Sequence, residues 1–164
     1  MDIIQVLRDE HEQVIKLFEK FDAMSEASAR HPVAEELLQQ LMVHEKAEED
    51  AVYGKLRDMA PDASLIDGAI LEQADIKDQI RAIVSDANPE TLPKRMLQLR
   101  DRVLEHVATE HNEIFPVMEQ VLSDQQRETL ASNFKTAKAG HMVEFPSMSI
   151  TMAPEAPISE RQRG

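Results

Sequence analysis

In two segments of this 164-residue chain that close on an apolar-aromatic pair, a carboxylate stands four positions after an imidazole: His44 with Glu48, and His106 with Glu110. Residues four apart on an α-helix share a face one turn apart, so each pair aims a nitrogen and an oxygen donor in one direction. Such a pair suits a hard or borderline metal cation. The second pair follows the first by 62 residues, and both segments end alike, in Val52-Tyr53 and Ile114-Phe115. The same offset carries His11 onto Gln73. The two halves therefore read as copies of one helix pair in which a single ligand position has changed.

The elements that must position these residues follow from apolar spacing and breakers. Asp2 is placed to cap a first helix with Ile3, Leu7, His11, Val14, Phe18 and Phe21 on one face. Residues 25–32 read as a turn, with Pro32 opening a second helix that runs to about Met59 and carries Leu37, Leu41, His44, Glu48 and Val52 on its buried stripe. Pro61 breaks it. A third helix bears Ile66, Ile70, Gln73, Ile76, Ile80 and Ile83, and Asn88-Pro89 ends it. A fourth bears Met96, Leu99, Val103, His106, Glu110 and Ile114, with Pro116 expected to kink its end. A shorter fifth helix is expected from Asp124 to about Ala139, stopped by Gly140. The fold class is all-α: an up-down-up-down four-helix bundle over residues 1–141, with a short fifth helix and an extended or disordered tail over 142–164. At 1.5 Å per residue, His11 and His44 lie roughly 20 Å from the turn between their helices. Gln73 and His106 lie at similar distances from theirs, so all four fall in one layer of the bundle, with Glu48 and Glu110 a turn away.

An ionised carboxylate in a bundle centre costs several kcal/mol unless paired or metal-bound. No lysine or arginine occupies these stripes near the layer, so a bound cation is the expected source of positive charge. His44-Glu45 begins like a zinc-protease motif, but position 48 is Glu rather than His. Ligation by nitrogen and carboxylate with positions to spare suits iron best, and manganese and zinc also fit.

Composition removes other chemistries. With 31 acidic and 18 basic residues the net charge is −13, which opposes binding to nucleic acid or to an anionic membrane. The absence of cysteine excludes thiolate-held metals and disulfides, and four scattered glycines form no phosphate loop. No apolar run is long enough to span a membrane and no leader is evident, so a cytoplasmic location is expected.

Residues 2–121 resemble the hemerythrin-like, or HHE cation-binding, family. The resemblance rests on Asp9-Glu10-His11, on His44-x-x-x-Glu48-Glu49 before Val52-Tyr53, and on His106-x-x-x-Glu110 before Ile114-Phe115-Pro116. Glu72-Gln73 looks like the family's Glu-His segment with the histidine replaced. The resemblance implies a non-haem di-iron centre with an oxo or hydroxo bridge, in which His11, His44 and His106 are terminal ligands and Glu48 and Glu110 bridge. Glu45 stands where some members place a further ligand, and Gln73 would offer only a weak amide oxygen. The implied function is binding or reduction of a small oxidant such as O2, H2O2 or NO. The alternatives are an iron- or redox-sensing module that meets a protein partner through its tail, and a degenerate bundle with one metal or none. His111 points about 100° away from Glu110 and is expected beside the centre or at the surface. Tyr53 and Phe115 are assigned to packing between helices, and His31 and His141 to the surface.

Overall fold

Asp2 opens the first helix, α1 (Ile3–Ala23), where its Oδ1 accepts a 2.8 Å hydrogen bond from the Ile4 amide. This cap is the one expected from sequence. The computed structural model describes residues 1–85 and 88–150, and all regular structure among them is helical. Two long rods follow the same plan. The first runs as α2 (Ala27–Glu48), a π-helical turn (Glu49–Tyr53) and α3 (Gly54–Met59). After α4 (Ala63–Ser85), the second runs as α5 (Leu92–Thr109), a π-helical turn (Glu110–Ile114) and α6 (Phe115–Val121). The last helix, α7 (Asp124–Glu144), starts with a reciprocal cap between Ser123 and Gln126. No described helix is long and apolar enough to cross a membrane.

The structure corrects several expected boundaries. α2 begins at Ala27, so Pro32 lies inside the helix rather than at its opening. Proline there forfeits the ladder bond that its amide would make to the Ser28 carbonyl, just beyond the free amides of the first turn. Gly140 does not stop α7, which winds on to Glu144, across the border expected at residue 141. Pro116 is preceded by a π turn, where the carbonyl–amide ladder shifts to a five-residue step. Gly54 holds the equivalent place in the first rod, 62 residues earlier, directly after the other π turn. Proline removes a donor and glycine weakens helix by about 1 kcal/mol relative to alanine, so both rods carry a weak helix former where ordinary winding resumes.

Residues 145–150 are not a frayed end. The Gln39 side chain donates to the carbonyls of Phe145 (2.8 Å) and Pro146 (2.7 Å), and the Ile150 amide donates to Glu35 at 3.2 Å. Met148 and Ile150 are buried in the apolar cluster that contains Phe18, Leu37, Ile80 and Leu99. The rest of the tail, 151–164, lies outside the described residues.

Two apolar clusters fill the interior. One gathers Val14, Phe18, Leu41, Ile76 and Val103, and the other gathers Leu7, Ala47, Ala69, Ile114 and Phe134. His11 falls between Leu7 and Val14, His44 between Leu41 and Ala47, Gln73 between Ala69 and Ile76, and His106 between Val103 and Ile114. The four occupy the level between the clusters, as the layer estimate requires.

His141, expected at the surface, clamps α7 to the first π turn. Its Nε2 lies 2.6 Å from Asp50 and its Nδ1 2.9 Å from Glu144. Desolvation pushes this imidazole down, but the two carboxylates outweigh it and hold its pKa above the ordinary value. A raised folded-state pKa contributes stability below the ordinary value, and that contribution is lost as pH rises through the raised one. His141→Ala should therefore cost about 1 kcal/mol at pH 6 and close to nothing at pH 9, measured by urea unfolding at both. An equal loss at both values would mean that packing, not charge, fixes this contact.

Candidate metal centre

Among the described residues, seven polar side chains are buried: His11, His44, Glu45, Glu48, Gln73, His106 and Glu110. They are the seven candidates singled out by spacing and resemblance. Helical repetition explains the convergence. α1, α2, α4 and α5 each interrupt an apolar stripe with one imidazole or amide at the same level, and the residues a turn on add Glu48 and Glu110.

The contacts follow the two-fold plan. His11 Nε2 lies 3.4 Å from Glu110, while Gln73, its counterpart, donates from Nε2 to Glu48 at 3.0 Å. His44 Nε2 lies 3.5 Å from Glu48, and His106 Nε2 lies 2.6 Å from Glu110 and 3.8 Å from Glu45. Donor atoms of Glu45, Glu48 and His106 all fall within 4.8 Å of one another. A small cavity opens on His11, His44, Glu45 and His106 and is walled by Val14, Leu41 and Val103.

Closeness here does not mean satisfaction. His11 Nε2, His106 Nε2, Glu45 Oε2, Glu48 Oε1, Gln73 Oε1 and both oxygens of Glu110 are buried without a hydrogen-bond partner among the described residues. Buried polar atoms left this way cost roughly 1–3 kcal/mol each, and native interiors rarely tolerate more than a few. Seven such atoms gather at one level, and even the close pairs among them, His106 Nε2 with Glu110 and His11 Nε2 with Glu110, leave them without a well-formed hydrogen bond. The donor set, three imidazoles, three carboxylates and one amide, fits a divalent or trivalent cation of intermediate hardness.

The electrostatics point the same way. Burial pushes Glu48 up, and the neighbouring Glu110 carboxylate pushes it further. Burial would raise Glu110 as well, but the His106 and His11 imidazoles outweigh it and hold Glu110 well below the usual carboxylate range. Burial and the adjoining Glu110 likewise keep Glu45 raised against the pull of His106 and His44. For His44 and His106 desolvation alone would lower the pKa, yet Glu10 and Glu48 in one case and Glu110 and Glu72 in the other hold the imidazolium well above its ordinary range.

Outside this centre sits a layer that sequence reasoning did not assign. His44 Nδ1 lies 3.5 Å from Glu10, which Lys138 of α7 also contacts, and His106 Nδ1 lies 3.4 Å from Glu72. Burial would raise Glu10, but His44 and Lys138 bring it down to about 2. The missed signal was present: Glu10 and Glu72 are themselves 62 residues apart. Carboxylates placed behind imidazoles in this way fix ring orientation and raise ligand basicity. His111 lies beside the centre, with its Nε2 3.0 Å from His11 Nδ1.

Tyr53 needs a finer description than packing alone. Its ring is buried in the second cluster as expected, but its hydroxyl has no hydrogen-bond partner among the described residues. Desolvation, then the charges of Glu110, Glu48 and Glu45, raise its pKa well above the ordinary value, so the hydroxyl sits in the field of the buried carboxylates. On an unbroken α-helix a residue nine positions after His44 would point about 180° away from it. The π turn takes up one residue of that winding, which turns Tyr53 back by about 100°.

A family model for the hemerythrin HHE cation binding domain matches residues 2–131. The chain is 31% identical over 145 residues to a protein of Nostoc sp. (strain PCC 7120 / SAG 25.82 / UTEX 2576) named DNA nickase; the match covers 85% of this chain and 40% of that protein. The chain thus spans about two-fifths of the length of this curated relative. No solved structure matches it.

Proposed function

The chain belongs to the hemerythrin HHE cation binding domain family, and from this we propose that it is a non-haem iron protein, di-iron when fully loaded, that binds or reduces a small oxidant. The observation that carries this reading is the set of seven inward-facing, unpartnered donor atoms between two apolar clusters. In this reading His11, His44 and His106 would be terminal ligands, Glu48 and Glu110 would be shared ligands, and Glu45 and Gln73 would be further donors. The up-and-down run of α1, the first rod, α4 and the second rod, implied by their short connections, belongs to the same proposal.

Iron held there would supply one-electron chemistry toward O2, H2O2 or NO. The chain's own contribution is positional and dielectric. Glu10 and Glu72 orient His44 and His106, and the valine and leucine walls keep bulk water from a cavity with room only for a small ligand. The name of the cyanobacterial relative describes a protein of which this chain covers 40%, and a net charge of −13 disfavours contact with a polyanion. Nicking is therefore not part of the proposal.

Iron content tests this reading. Protein reconstituted with ferrous iron should hold about two irons per chain and show near-ultraviolet absorption absent from the metal-free form. Less than about half an iron per chain, with no new band, would sink the proposal. Gln73→His should tighten the more weakly held equivalent by about tenfold or more, because an imidazole replaces a neutral amide. Equilibrium dialysis beside the unsubstituted protein measures that change, and an unchanged weaker equivalent would show that position 73 does not limit the centre.

A further inference from the structure

Three histidines face the centre through Nε2, and each is met from behind at Nδ1. Behind His44 stands Glu10, and behind His106 stands Glu72, both carboxylates that accept a proton's hydrogen bond. Behind His11 stands another histidine, His111, whose own outer nitrogen is 3.1 Å from Arg8 Nη1.

This difference has a fixed direction. A guanidinium offers donors only, so Arg8 must donate to His111 Nδ1. A histidine accepting at Nδ1 carries its proton on Nε2, so His111 donates to His11 Nδ1 across 3.0 Å. His11 then carries its own proton on Nε2, the atom that faces Glu110 at 3.4 Å. A histidine that binds a metal through Nε2 needs that atom bare, with the proton on Nδ1 and an acceptor behind it.

We propose that Arg8 and His111 form a latch that holds His11 in the tautomer unable to bind a metal through Nε2, and that a metal ion engages His11 only when this hydrogen-bonded chain reverses. The inference rests on the metal-centre reading above and adds a control element to it. In the reversal His11 loses its Nε2 proton past Glu110 to solvent and takes a proton on Nδ1 from His111 Nε2. His111 takes one from water on Nδ1, and the nitrogen–metal bond replaces the nitrogen–hydrogen bond. One proton leaves and one enters, so the exchange is balanced. A protonated Nδ1 on His111 cannot face a guanidinium donor, so Arg8 must leave that nitrogen. The other half of the chain has no such latch: the residue 62 positions before His111 is Glu49, a carboxylate, which Lys77 contacts.

The experiment reads the tautomer directly. Long-range proton–nitrogen correlation spectra of histidine-labelled, metal-free protein should show His11 protonated on Nε2 and His44 and His106 carrying a proton on Nδ1. A bare Nε2 on His11 in that spectrum would overturn the latch, and the unsubstituted protein alone decides this point. In Arg8→Leu and in His111→Glu, which puts an acceptor behind His11, the His11 proton should move to Nδ1. The weaker of two zinc equivalents, followed by calorimetry with Zn²⁺ alone, should then bind about tenfold or more tightly, the effect of relieving one charge-assisted hydrogen bond. Equal zinc affinity in the parent and both variants would overturn the latch while leaving the metal centre standing. No zinc or iron uptake by any of the three would overturn both.

Discussion

Replacing Glu48 and Glu110 together by methionine should make the metal-free protein more stable, by about 2 kcal/mol, while abolishing metal uptake. Both carboxylates are wholly buried. Burial and mutual repulsion push Glu48 up, and Glu110 stays ionised only because His106 and His11 hold it down against its own desolvation. Three of the seven unpartnered atoms in the centre belong to these two residues. Methionine is close in length and adapts to irregular gaps, so their removal relieves desolvation without opening a large void. The imidazoles are not stranded by the change, because His11 keeps His111, His44 keeps Glu10 and His106 keeps Glu72. Urea unfolding in the presence of a chelator measures the effect. A double variant less stable than the parent would mean that the buried carboxylates hold the bundle together on their own account, which the metal reading does not allow.

The counterpart is the gain on loading. A ligand that binds only the folded chain stabilises it by about 2.7 kcal/mol per site at a hundredfold excess over its Kd. Two sites then contribute about 5 kcal/mol. At about 2–4 °C per kcal/mol for a chain of this size, ferrous iron or zinc should raise the Tm by on the order of 10–20 °C. The double variant should show none of this rise, and chelator should reverse it in the parent. His44 and His106, held well above their ordinary pKa by neighbouring carboxylates once burial is overcome, must shed protons to bind. Loading should therefore release protons and strengthen as pH rises through their raised range. A scan in which metal leaves the Tm unmoved at every pH would contradict the reading.

Much of this architecture is readable in the chain because the information is periodic. Apolar residues at helical spacing place the rods, and the 62-residue offset places His44, Glu48, His106 and Glu110 without any coordinates. The layer estimate works because His11 and Gln73 sit as far from their turns as their partners do. What periodicity cannot supply is the sense of contacts across helices. Lys138 reaches Glu10 from a helix more than a hundred residues away, and nothing local to either residue announces it. Arg8 reads as an exposed charge until α5 and its π turn bring His111 against it. The boundaries failed for a different reason. Pro32 and Gly140 are local signals for a helix opening and a helix end, and both were overridden by packing, the first within α2 and the second where α7 is pinned by His141. The contacts of residues 145–150 could not be read locally, because six residues with no helical period gain their order from Gln39 and Glu35 on another element.

The matched π turns imply a particular intolerance to a further gain in length. A π turn is an α-helix carrying one surplus residue, so each rod holds its chemistry on one side of an insertion and its second cluster on the other. Deleting one residue between 49 and 53 would let the rod relax to ordinary winding and leave everything beyond it on the same face, whereas adding one more ahead of Val52 would rotate everything beyond it by about 100°. Val52, Tyr53 and Leu56, all fully buried, would swing out of the interior as a set. His44 and Glu48, upstream of the slip, would keep their places. The centre would survive as a list of residues and lose the floor it stands on. Substitutions around these turns, and the loss of the surplus residue, should thus be far better tolerated than the gain of a further position.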